Sequence, residues 1–127
     1  MAKGKILIVE DESIVARMYQ KSLTFDGFEV IISLNGKEGI KKAINDTPDL
    51  ILLDIMMPKP DGMEVLDSLK GDDKTKDIPV VILTNLSGKN DAELALQKGA
   101  IDFWVKSNTE MEKIGPRIEK ILNENSQ

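Results

Sequence analysis

Asp54 closes the run Leu50-Ile51-Leu52-Leu53-Asp54, entered through Pro48 and left at Met57-Pro58. An apolar run of this length reads as a strand buried on both faces, and a carboxylate at its end lies where open parallel sheets place their ligand crevice. Three further strand ends carry chemistry. Lys5 to Val9 ends in Glu10-Asp11-Glu12, Ile78 to Leu83 ends in Thr84, and Ile101 to Val105 ends in Lys106. Gathered at one sheet edge, these are clustered acids, a nucleophilic carboxylate, a hydroxyl and an ammonium. Clustered carboxylates raise one another's pKa unless a cation sits among them. The chain has no histidine and no cysteine, so only oxygen ligands and a hard cation remain, Mg²⁺ first and Mn²⁺ as the alternative. The set suits a metal-assisted phosphoryl group carried on Asp54 as nucleophile. Glu10 and Asp11 join Asp54 around the metal, Lys106 is the counter-charge, and Thr84 donates to a phosphoryl oxygen.

These ends meet only if the elements between them place them together. Strand-like and helix-like patterns alternate five times without a linker. Ile14, Val15, Met18, Ser22 and Phe25 recur at helical spacing, and Asp26-Gly27 stops that helix. Phe28 to Ser33 reads as the second strand. Asn35 caps a helix with Ile40, Ala43 and Ile44 on one face, closed by Asp46-Thr47-Pro48. Asp61-Gly62 opens the third helix, with Val65, Leu66 and Leu69 inward. Asp91 to Lys98 is the fourth, with Leu94, Ala95 and Leu96 set inward and Gly99 as its stop. Thr109 to Leu122 places Met111, Ile114, Ile118 and Ile121 on one face, behind the capping-box match Thr109-Glu110-Met111-Glu112. Residues 123–127 read as a polar, frayed end.

Five such units with short loops imply an α/β fold: a flavodoxin-like (βα)5 doubly wound sandwich on a five-stranded parallel sheet, order 2-1-3-4-5. In that order Glu10, Asp11 and Asp54 are neighbours, and Thr84 and Lys106 follow on the adjacent strands. At 127 residues the chain is read as one domain, 1–127, long enough for a proper core. The absence of histidine and cysteine excludes Ser-His and thiol catalysis, disulfides and imidazole or thiolate metal sites. The net charge of −5 and the lack of a basic stripe argue against direct nucleic-acid binding. Lys41-Lys42 reads as a solvated face. No stretch approaches the length of a membrane span, and a cytoplasmic location is the expectation.

The same residues resemble the CheY-like response-regulator receiver domain, over essentially the whole chain. Val9-Glu10-Asp11-Glu12 resembles the family's metal-binding acids, and Leu53-Asp54-Ile55-Met56-Met57-Pro58 its phosphoacceptor strand end. Pro60-Asp61-Gly62, Ile82-Leu83-Thr84 and Val105-Lys106 follow the pattern as well. The resemblance implies two-component phosphorelay signalling. A histidine kinase or histidine phosphotransfer protein would donate the phosphoryl group to Asp54. The main-chain carbonyl of Met56 would complete the metal ligands. Thr84 and Phe103 would act as switch residues for a downstream protein at the face of the fourth helix, fifth strand and fifth helix (α4-β5-α5). The implied protein is a monomer or weak dimer that binds neither membrane nor nucleic acid and promotes only its own phosphorylation and dephosphorylation. With no output domain in the chain, it is expected to act through its own surface.

Four positions depart from the family pattern. Ser107 follows Lys106 where a cis proline is usual, so the bond is expected to be trans, since a non-proline cis bond costs about 2.5–4 kcal/mol. Asn85 stands after Thr84 where a small residue is common. Phe103 replaces the usual tyrosine, with Trp104 after it, and Pro116 interrupts the last helix. Met56 and Leu86 flank the path of a hydrolytic water in receivers, and as apolar side chains they imply slow loss of the phosphoryl group. A cofactor binder of the same topology would need a phosphate loop where Glu10-Asp11-Glu12 repels phosphate. An aspartyl-phosphate phosphatase would need an acid at Met56 and a cap domain. A degenerate receiver, binding proteins without phosphate, is the alternative that the intact acids and Lys106 disfavour.

Overall fold

Strands buried on both faces need helices on both sides, and that requirement sets the architecture. The computed structural model describes residues 2–125. β3 (Leu50–Leu53) and β4 (Val80–Thr84) are buried at every residue, with β1 (Lys5–Val9) beside them. β2 (Glu29–Ser33) and β5 (Asp102–Val105) are the less buried edges. All pairs are parallel and the order is β2-β1-β3-β4-β5, as expected. The helices are α1 (Ser13–Phe25), α2 (Gly36–Asp46), α3 (Gly62–Gly71), α4 (Lys89–Gln97) and α5 (Met111–Asn125), with a 3₁₀ turn at Lys106–Asn108.

Strand alternation sorts the core into two layers. Leu7, Val9, Ile51, Leu53, Val80 and Ile82 face α2, α3 and α4. Ile6, Ile8, Leu50, Leu52, Val81, Leu83 and Trp104 face α1 and α5. Each such aliphatic side chain contributes about 1.5–3 kcal/mol when fully buried. No helix among the described residues is long and apolar enough to cross a membrane.

Capping follows the side chains. Asn35 Oδ1 accepts from Glu38 N at 2.8 Å, as expected. Asp61 and Glu64 form a reciprocal capping box on α3, each side chain accepting from the other's backbone N–H at 3.0 Å. The box expected at Thr109–Glu112 is not formed. The Thr109 hydroxyl instead donates to Val105 O at 2.9 Å, which ties down the turn after β5. Pro116 does not interrupt α5, which runs unbroken to Asn125. Its missing N–H would have met the carbonyl of Glu112, an exposed first-turn residue that water can satisfy. Of the end expected to fray, residues 123–125 continue α5, and residues 126–127 lie outside the described residues.

Two helix faces differ from expectation. α1 buries Ala16, Tyr19 and Leu23, while Ile14, Met18 and Phe25 are 74%, 51% and 90% exposed. The helix carries apolar residues on two adjoining stripes, and helical spacing alone does not choose between them. Ala16 decides, because its small side chain lets the helix lie closest to the sheet. α4 likewise contacts the sheet through small Ala95, leaving Leu94 and Leu96 exposed on either side.

The free edge of β2 is closed by side chains. Glu29, Ile31 and Ser33 bond toward β1, so Val30 and Ile32 point their carbonyls outward. Lys42 Nζ donates to Ile32 O at 2.6 Å, and Gln20 Nε2 to Val30 O at 3.5 Å. Lys42 is therefore part of the sheet margin rather than a solvated face. The α1 assignment is open to direct test by urea unfolding. Leu23→Ala is expected to cost about 2–5 kcal/mol, and Ile14→Ala no more than about 0.5 kcal/mol. The reverse order would restore the stripe of Ile14 and Met18 as the buried one.

Candidate functional site

Sheet register levels the strand ends. Val9 pairs with Leu53, Leu53 with Ile82, and Ile82 with Phe103. The next residues, Glu10 and Asp54, are held by Glu10 N to Ser33 O and Asp54 N to Val9 O, both 3.0 Å. Alternation then divides the chemistry between the faces of the sheet. Glu10, Asp54 and Lys106 continue the lines of Ile8, Leu52 and Trp104 toward α1 and α5. Thr84 continues the line of Ile82, on the face that Phe103 shares.

Lys106 Nζ donates to Glu10 Oε1 and, at 3.1 Å, to Asp54 Oδ2. The three side chains are only 11%, 3% and 7% exposed respectively. The remaining carboxylate oxygens meet backbone: Glu10 Oε2 accepts from Glu12 N at 3.1 Å, and Asp54 Oδ1 from Met56 N at 3.0 Å. The loop beyond Asp54 is pinned by Met57 N and Gly62 N, which both donate to Ile55 O, at 3.0 and 3.2 Å. A Cβ at Gly62 would collide with Asp54 O and Ile55 Cα, so only glycine lets α3 start this close to the acid.

The electrostatics follow from burial. Desolvation pushes the Glu10 pKa up, against the hydrogen bond from Lys106. Burial also works against the Lys106 ammonium, but the Glu10 hydrogen bond and the Asp54 charge outweigh it, and the lysine pKa rises. One cation thus faces two buried anions. Asp11 is exposed beside them, and carboxylate oxygens of Glu10, Asp11 and Asp54 all lie within 4.8 Å of one another. An oxygen-only, acid-rich cluster left partly uncompensated fits a hard divalent cation.

The structure thus gathers Glu10, Asp11, Asp54 and Lys106 at one point, with the Met56 backbone at its rim. Thr84 is fully buried on the other face, its Oγ1 accepting from Leu86 N at 3.4 Å. Phe103 is half-buried and packs, with Leu86, against the α2–α4 core layer. Lys106–Ser107 is trans; the cis bond among the described residues is Lys59–Pro60. Two features were missed in the sequence. Lys106 binds Glu10 as well as Asp54, and Tyr19 lies beneath the cluster, lining the same small cavity as Glu10, Asp54 and Lys106. The only sequence signal for the latter is a polar-tipped residue on a helix stripe with Ala16 and Leu23.

The family model described as response regulator receiver domain matches residues 6–118. The response regulator PleD of Caulobacter vibrioides is 41% identical over 103 residues, covering 81% of this chain and 23% of that protein. A CheY-like receiver domain protein from Methanospirillum hungatei has a TM-score of 0.86 at 26% identity, covering 96% of this chain and 95% of its own. The BeF3-activated receiver domain of Klebsiella pneumoniae RstA has a TM-score of 0.85 at 31% identity, covering 93% and 97%. The chain spans only 23% to 54% of the length of the curated relatives it matches. Family match, sheet order and acid cluster agree: this chain belongs to the response regulator receiver domains of two-component signalling.

Proposed function

We propose that this chain is a Mg²⁺-dependent phosphoacceptor, taking a phosphoryl group onto Asp54 from the phosphohistidine of a kinase or phosphotransfer partner. The observation that carries the reading is the Lys106 ammonium bonded to both Glu10 and Asp54 at the levelled strand ends. An Asp54 carboxylate oxygen attacks phosphorus, the bond to the partner's histidine nitrogen breaks, and the nitrogen leaves with the bonding pair. Lys106 is close enough to follow the charge from the carboxylate to a phosphoryl oxygen. Glu10, Asp11, Asp54 and the Met56 carbonyl would hold the cation, which when bound supplies charge neutralisation for the incoming oxygens.

Thr84 and Phe103 form the switch in this reading. The Thr84 hydroxyl proton is free to donate, because Oγ1 acts only as the acceptor of a long bond from Leu86 N. Drawn to a phosphoryl oxygen, Thr84 loosens that contact and changes the packing around Leu86 and Phe103, at the edge of the α4-β5-α5 face. The output partner binds there. A tenfold change in population requires about 1.4 kcal/mol of differential interaction, within reach of one charge-assisted hydrogen bond. A phosphate-independent binding module would leave the buried Lys106–carboxylate cluster without a purpose.

Asp54→Asn is expected to abolish phosphorylation by acetyl phosphate or a cognate kinase while keeping the fold, read by intact-mass and peptide mapping. A phosphoryl adduct on Asp11 in the parent would overturn the assignment. Asp11→Ala should weaken Mg²⁺ binding by tenfold or more on the scale of a lost carboxylate ligand, about 1.4 kcal/mol per factor of ten, followed by Trp104 fluorescence; an unchanged affinity removes Asp11 from the metal site.

The raised Glu10 pKa makes a pH prediction. Ionising Glu10 costs the folded state more than the unfolded chain, whose value is near 4.5. Its contribution to stability is present below that value and is lost as pH rises through the folded-state pKa. Urea unfolding without metal should show this decline, and Mg²⁺ should offset it at neutral pH. A further expectation concerns lifetime. Met56 is 53% exposed and Leu86 is part-buried, and neither can orient a water at Asp54. The Met56→Asn, Leu86→Glu double variant should lose its phosphoryl group faster than the parent, and equal decay would clear these side chains of that role.

A further inference from the structure

The sheet face under α1 and α5 is hydrocarbon except for two aromatic rings with polar tips, Trp104 and Tyr19. The Trp104 indole N–H donates to Asp102 Oδ2 at 2.9 Å. The hydroxyl of Tyr19, the chain's single tyrosine, makes no hydrogen bond to the described residues, although the residue is only 7% exposed. A phenol this buried normally finds a partner. Tyr19 lines a cavity of about 10 Å³ whose polar wall is Glu10, Asp54 and Lys106, closed by hydrocarbon from Ile8, Leu52 and Leu83. That volume is about one water molecule. An ammonium has three protons to donate, and Glu10 and Asp54 account for two of those on Lys106.

We propose that Tyr19 is a positioning residue for Lys106. Its hydroxyl accepts the third ammonium proton, directly or through one water in the cavity, and keeps Nζ in place while its carboxylate partners change. This rests on the Asp54 reading: once Asp54 carries a phosphoryl group and Glu10 shares its charge with a cation, both present partners of Lys106 weaken together. A neutral acceptor on the helix side does not weaken with them. Burial raises the Tyr19 pKa, so the phenol stays neutral. The nearest opposing influence is the Lys106 charge, ahead of Glu10 and Asp54.

The test is Tyr19→Phe, which keeps the ring and removes the oxygen. In the metal-free protein, ¹⁵N-detected exchange of the Lys106 ammonium protons with water should be about tenfold faster, the size expected for losing one hydrogen bond to a charged group. Phosphorylation by acetyl phosphate should slow by about three- to tenfold on the same ground, with Mg²⁺ affinity and unfolding midpoint as in the parent. A tyrosine that only fills space would leave exchange and rate unchanged, and either result in a folded variant overturns the proposal. Should the variant not fold, the parent decides: nuclear Overhauser contacts between Lys106 ammonium protons and the Tyr19 ring support it, and their absence overturns it. A parent that accepts no phosphoryl group would strike the Asp54 reading alone, since the exchange measurement needs neither metal nor phosphodonor.

Discussion

Two carboxylates and one ammonium, all nearly shut away from water, must share the end of this sheet. Removing a carboxylate from water costs several kcal/mol even after relaxation, and an ion pair recovers that only with good geometry and further hydrogen bonds. Lys106 supplies the geometry for both Glu10 and Asp54, and the amides of Glu12 and Met56 supply the further bonds. One positive charge still cannot balance two negative ones, and Asp11 adds a third acid at the rim. The excess negative charge is what a divalent cation would neutralise. The arrangement tolerates little slippage, because a one-residue shift of any strand would turn its end group to the opposite face.

That alternation also separates accepting from signalling. The acceptor, its acids and the lysine belong to the α1–α5 side of the sheet, whereas Thr84 and Phe103 belong to the α2–α4 side. The two groups of residues touch only at the strand ends, where there is no pleat left to divide them. A change on one face can reach the other there without disturbing the layers below, which are close-packed and resist small displacements.

The strand order and the gathering of Glu10, Asp11, Asp54, Thr84 and Lys106 were legible because strands buried on both faces leave an unmistakable apolar run, and parallel crossovers leave few orders. Helix faces were harder to read. α1 has two overlapping apolar stripes, and α4 is so short that one alanine makes its contact. Thr109 matched a capping pattern yet bonds a carbonyl behind it, since a hydroxyl serves either backbone group and local geometry chooses. Nor could spacing show that Tyr19 comes to lie under Lys106, because the two are joined only through the fold.

The side chains along β2 have a bearing on assembly. With Val30 and Ile32 carbonyls already taken by Gln20 and Lys42, an approaching strand finds no unoccupied acceptor on that margin. β5, at the far side, has no side chain closing its margin among the described residues. A sheet that can be extended from one end only can join a second sheet but cannot grow into a ribbon. Crowded copies of this domain are thereby steered toward finite pairs and away from open-ended stacking, by two long polar side chains far from the acids that do the chemistry.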